Sequence, residues 1–127
     1  MSHRMQRSDT GLRTVPKDFN GDLSSLPVCP AFADIGMKYG PFNLAAIPIG
    51  AYSPRWFMSR VHCDPSDSVI LHQHIRSQKS VGMHFGTFCL TDEPVIEPPL
   101  KLKEEAKAAG LGEEEFITID IGESILV

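Results

Sequence analysis

The side chains that could do chemistry in this chain of 127 residues are scattered, and most admit a bland alternative. His84 lies near the end of the strand-length segment Lys79 to Phe85, beside Gly86 and close to Thr87. An imidazole at a strand end can point into a cleft as a metal ligand or proton shuttle, although a satisfied core or surface histidine has the same letters. Asp9, in Ser8-Asp-Thr-Gly11, is a carboxylate that could bind a metal or simply shape a turn. His62 precedes Cys63-Asp64-Pro65 at the start of an expected helix, where free backbone N–H groups and the helix dipole favour an anion. That placement suits contact with a phosphate, or a histidine that only fills the loop. His72 and His74 have the spacing of a chelating pair on a strand, but they fall within an expected helix, where residues two apart face different ways. They are not a zinc pair. Tyr52, Arg55, Trp56 and Met58 crowd the loop around Pro54, where Arg55, Trp56 and Phe57 suit a substrate-facing patch or an aromatic pair in the core.

The elements that must position these residues can be read from punctuation and periodicity. Residues 1 to 28 have no sustained period and read as loop apart from a strand stub before Asp9; the ordered part begins near Cys29. Pro30 to Tyr39, with a first-turn proline and Gly40 after it, predicts a helix. Phe42 to Ile49 is an apolar run of strand length. Asp64-Pro65-Ser66-Asp67 supplies an N-cap, a first-turn proline and an acid for a helix to about Gln78, buried through Val69, Ile70 and Ile75. Lys79 to Phe85 is a second strand. Pro98 to Ala109, closed by Gly110, is an amphipathic helix, and Phe116 to Ile121 and Ser124 to Val127 are short strands. Alternation of helix and strand is an α/β pattern, and ligands in such layers gather beyond the C-terminal ends of the strands. The loops there run from Pro48 to Arg60 and from His84 to Asp92.

Composition narrows the classes. The chain has room for one small domain, and 42% hydrophobic against 22% charged residues is too apolar for disorder. A formal charge of -4 argues against a general nucleic-acid binder. The longest apolar candidate, Leu44 to Tyr52, is short of the roughly 20 residues of a membrane-spanning helix. Cys29, Cys63 and Cys89 form no Cys-x-x-Cys pair, which fits buried free thiols in a reducing compartment.

Longer stretches carry a family likeness. Ser8-Asp-Thr-Gly-Leu-Arg-Thr-Val-Pro16, Leu26-Pro-Val-Cys-Pro-Ala-Phe32, Phe42 to Tyr52, Pro54-Arg-Trp-Phe-Met58, His62-Cys-Asp-Pro65, Met83-His-Phe-Gly-Thr-Phe88 and Glu97-Pro-Pro99 together resemble the N-acyl-phosphatidylethanolamine-hydrolysing phospholipase D family, in a fungal-type form. The resemblance runs from residue 8 to residue 127. It implies the C-terminal half of a metallo-β-lactamase αββα sandwich with a two-zinc site, and cleavage of an N-acyl phospholipid to an N-acylethanolamine and phosphatidic acid. Residue by residue, it implies that Asp9 bridges the zinc ions, with Ser8 replacing the family's preceding glycine. It makes His84 a zinc ligand, with Phe85 in place of the family's tryptophan, and it places His62 beside the substrate phosphate. From the residues themselves, and not from the resemblance, Tyr52, Arg55 and Trp56 are expected on the substrate side. The domain reading is a segment 1–28 with the Asp-Thr-Gly turn and a part 29–127 of the lactamase-like domain.

The family's His-x-His-x-Asp-His motif is absent from these residues, and two ligands do not hold a hydrolytic zinc pair. The chain is therefore expected to be inactive alone and to need the other half from another chain or a longer product. The alternatives are a non-catalytic partner or lipid-binding half-domain, offering Tyr52, Trp56, Phe57 and Met58, and a truncated gene model. Implied partners are the N-acyl phospholipid, a peripheral membrane surface, and a full-length relative or a second copy, with no nucleic acid. An intracellular place is expected, with no organelle indicated.

Overall fold

The computed structural model describes residues 11–127. After a 3-10 turn at Leu23–Ser25, the elements are α1 (Ala31–Tyr39), β1 (Ala45–Pro48), α2 (Arg55–Met58), α3 (Pro65–His74), β2 (Ser80–Met83), α4 (Glu97–Ala108) and β3 (Phe116–Ile117). The strands form one parallel sheet in the order β1-β2-β3, with Ala45 opposite Ser80 and Ser80 opposite Phe116.

Helix boundaries are set by local chemistry. Asp64 caps α3 by accepting from the Asp67 amide at 3.0 Å, and Pro65 fills the first turn, where its missing N–H costs nothing. The helix ends at His74, short of Gln78, because the chain turns at Arg76 with φ 58° and the Ser77 amide returns to the His72 carbonyl. Pro30 stands at the N-cap position of α1 without a side-chain hydrogen bond, and Gly110, at φ 78°, comes just after α4. Residues 55–58, read as loop, form the single turn α2.

The strands are shorter than the apolar runs that announced them. From the run Phe42 to Ile49 only Ala45–Pro48 pairs as strand, with Phe42 making one isolated bridge to Ser77. Pro48 is tolerated because, among the described residues, β1 lies at the edge of the sheet. β2 stops at Met83, since His84 turns to φ 63°. The expected strands to Ile121 and from Ser124 to Val127 do not form beyond Ile117. Among the described residues no neighbouring strand pairs with them, and Ile121 and Leu126 lie in solvent.

The core lies on one face of the sheet. Ile47 and Phe116 project there against Val69 and Leu71 of α3, Ile75 just after it, Leu102 and Ala106 of α4, and Leu12, which is fully buried. The buried face of α3 thus includes Leu71, while Ile70 is only half-buried. The opposite face presents Ala46, Val81, Met83 and Ile117. Ala46 is exposed and Met83 is 45% exposed. Parallel sheets are ordinarily covered on both faces. Here, among the described residues, one face stays open. No helix of these residues is long and apolar enough to cross a membrane.

Candidate functional site

The sheet's parallel direction sends β1 and β2 out at the same end, and the segments leaving the two strands define a mouth. A cavity of about 360 Å3 there is lined by Gly50 and Ala51 after β1, and by His84 to Thr91, Glu93, Pro94, Val95 and Pro98 after β2. Two residues at this end, Ala51 at φ 62° and His84 at φ 63°, hold left-handed backbone that L side chains seldom adopt. Gly50 packs so tightly under the second strand's end that a Cβ there would lie 2.2 Å from the His84 carbonyl oxygen. Glycine is therefore required at Gly50, and it lets the two strand ends touch.

His62 arrives from the other side. α2 ends in a turn in which the Met58 carbonyl accepts from the His62 amide at 2.9 Å, and the Arg60 carbonyl accepts from Gly11 at 2.8 Å. Gly11 again leaves no room for a side chain, with Ser59 O 2.0 Å from where its Cβ would stand. The result is a pair of imidazoles far apart in sequence: the rings of His62 and His84 are 5.0 Å apart, tilted by 32°. His62 is half-buried and His84 exposed. Burial, followed by the charge of His84, holds His62 below the ordinary histidine value, against the opposing pull of Glu93. An imidazole so held is neutral at neutral pH, with a lone pair for a metal or a proton.

The other expected site residues are placed differently. Tyr52 is buried, and its hydroxyl donates to the Glu97 carboxylate, while Lys101 Nζ lies 5.1 Å from its ring centre. Burial and that hydrogen bond push the phenol far above its usual range. Arg55 is committed to carboxylates, pairing with Asp67 and standing 3.6 Å from Asp64; Arg13 meets Asp67 from the other side at 2.9 Å. Asp64 also accepts from Lys101 at 3.1 Å. Burial opposes its charge, but Arg55 and the other donors hold it below the usual carboxylate range, whereas burial lifts Asp67. Trp56 is 45% exposed, edge-on to Phe57 with Lys17 above its ring. The structure thus joins His62 to His84, turns Tyr52 and Arg55 into a buried polar network, and leaves Trp56 on the surface. Asp9 lies outside the described residues.

His72 belongs to the core: its Nδ1 is 2.7 Å from Ser80 Oγ and its ring packs on Phe116 at 5.4 Å. The cysteines are free thiols, but only Cys63 is buried, with burial pushing it up to about 11; Cys89 is exposed. One residue at the mouth carries no motif. Glu93 sits one position past the loop assigned from sequence, and its carboxylate accepts from the Ala51, Tyr52 and Ser53 amides. The Thr91-x-Glu93 spacing, with the Thr91 hydroxyl 2.8 Å from Oε1, was its only local signal.

A catalytic zinc takes three protein ligands and a water. Among the described residues no group of three or more His, Cys, Asp or Glu converges as a metal site needs. His62 and His84 are two donors, so these residues do not fit a zinc pair by themselves.

Residues 19–85 match a beta-lactamase superfamily domain. The chain is 47% identical over 107 residues to N-acyl-phosphatidylethanolamine-hydrolyzing phospholipase D 1 of Caenorhabditis elegans, a match covering 83% of this chain and 30% of that protein. It is 34% identical over 106 residues to an uncharacterized protein of Mycobacterium tuberculosis strain H37Rv, covering 81% of this chain and 26% of the other. It is 33% identical over 80 residues to the mitochondrial N-acyl-phosphatidylethanolamine-hydrolyzing phospholipase D of Saccharomyces cerevisiae, covering 62% of this chain and 17% of the other. The chain thus spans less than a third of the length of these relatives.

Proposed function

We propose that this chain, which belongs to the beta-lactamase superfamily and has its metallo-β-lactamase-like fold, is the C-terminal part of a zinc-dependent phosphodiesterase that hydrolyses N-acyl-phosphatidylethanolamine to an N-acylethanolamine and phosphatidic acid. The observation that carries this is the meeting of His62 and His84 at the mouth of adjacent parallel strands, in a chain 47% identical to a phospholipase of that name. Here His84 and Asp9 are metal-binding residues, and His62, neutral beside His84 and ahead of the α3 N-terminus, meets the substrate's phosphate oxygens. Tyr52 and Arg55 serve by holding the loop between β1 and α3, and Trp56 offers its exposed ring to lipid. Asp9 and His84 are two ligands where a catalytic zinc takes three, so on this reading the chain alone does not turn over.

The lipid substrate puts this part of the enzyme at a membrane surface inside a cell, in keeping with the name of the yeast relative. A second reading, favoured by the open sheet face at Ala46 and Met83, is a non-catalytic half-domain that docks on a full-length relative or a second copy. Complementation tests the first. The chain is mixed with a polypeptide spanning the rest of the Caenorhabditis elegans relative and zinc. Release of N-acylethanolamine in the mixture, absent from each part and lost with His84→Asn, is expected. An inactive mixture in which the two polypeptides nevertheless bind would overturn it in favour of the half-domain.

A further inference from the structure

We infer that Glu93 is a positioning residue, a carboxylate clamp that locks the loop after β1 to the loop after β2 and so sets where His62 and His84 stand. Three consecutive amides converge on this one side chain: Ala51 N at 2.6 Å and Tyr52 N at 3.3 Å reach Oε1, and Ser53 N at 3.0 Å reaches Oε2. The Thr91 hydroxyl adds a fourth donor at 2.8 Å. A backbone bond runs beside them, with the Asp92 amide donating to the Ser53 carbonyl at 3.1 Å. Successive amides aimed at one point form an anion-binding nest, and here the anion is supplied by the protein's own chain. Burial works against the charge, yet these hydrogen bonds hold the Glu93 carboxyl below its ordinary value. The clamp therefore stays ionised at neutral pH.

The clamp holds the part of the molecule least able to hold itself. Ala51 is one of its ligands and stands in left-handed backbone without glycine's freedom. Gly50, one residue before, lies against the His84 carbonyl. Any movement of Ala51 is thus passed to His84, whose own backbone is left-handed, and through ring contact to His62. Tyr52, the second ligand, is tied onward to Glu97 of α4. The catalytic meaning of the clamp rests on the phosphodiesterase reading; its geometry does not.

The test uses the 127-residue chain without metal or substrate, so its failure leaves the phosphodiesterase reading standing, and failure of complementation leaves the clamp standing. In 15N-labelled protein, Glu93→Ala is expected to shift the imidazole signals of His62 and His84 while those of His72 stay put. Amide-exchange protection at Ala51, Tyr52 and Ser53 is expected to fall about tenfold or more. Sodium formate, a free carboxylate of the right size, is expected to restore both in the variant and leave the parent chain unchanged. Unmoved His62 and His84 signals in a folded variant would overturn the inference, as would displacement without rescue by formate. If Glu93→Ala unfolds, Glu93→Gln decides, since it keeps one acceptor and most of the shape. Displaced His62 and His84 with a steady His72 support the clamp, whereas undisturbed rings, or loss of the fold in this variant too, overturn it.

Discussion

His72 and His84 are chemically alike and physically opposite. His72 lies under the sheet at 2% exposure, its Nδ1 on Ser80 and its ring on Phe116. His84 stands in the open at a strand end, in left-handed backbone, facing His62. The two regions they represent differ in how they are held. The buried side is fixed by packing and by the Arg13, Asp67, Arg55 and Asp64 ion pairs, whereas the mouth is fixed by close backbone approach at Gly50 and by Glu93. Spacing within one helix brought no histidines together; topology did.

The largest expected effect breaks the buried side. Asp67→Ala leaves two guanidiniums without their shared carboxylate and should cost about 3–5 kcal/mol in urea unfolding. His72→Ala comes next, at about 2–3 kcal/mol, because it strands the Ser80 hydroxyl and opens space beside Phe116. The same residue sharpens the contrast through pH. Burial lowers the His72 pKa, although Glu115 pulls the other way. The unfolded chain then binds its proton first on acidification, so the stability owed to neutral His72 is complete above about 6.5 and is lost as pH falls below that value. Unfolding midpoints of the parent and His72→Asn chains should converge as pH drops from about 7.5 to about 5. The smallest effect on stability belongs to the mouth: His84→Asn, which tolerates left-handed backbone, should change it by within about 0.5 kcal/mol while abolishing turnover in the complemented enzyme.

Helices were legible because their ends carry chemistry. Asp64-Pro65 and Pro30 mark starts within a residue of those observed, and Gly110 comes just after α4. Strand extents were not, because an apolar run reports burial and not pairing: Leu44 and Ile121 belong to such runs yet lie outside any strand. The mouth was legible as a place, since both strand-end loops line its cavity. Its internal bonding was not. Glu93 acts on backbone amides some forty residues away, which have no sequence identity to read. The commitment of Arg55 to Asp67 likewise depends on how α2 packs beside α3, which no local spacing shows.

The most direct test of the central account is zinc content and N-acyl-phosphatidylethanolamine hydrolysis on the purified chain, beside an Asp9→Ala, His84→Ala double variant. Substoichiometric zinc and no release of N-acylethanolamine until the remainder of the enzyme is supplied is the result predicted. Stoichiometric zinc with turnover by the chain alone, lost in the double variant, would contradict it.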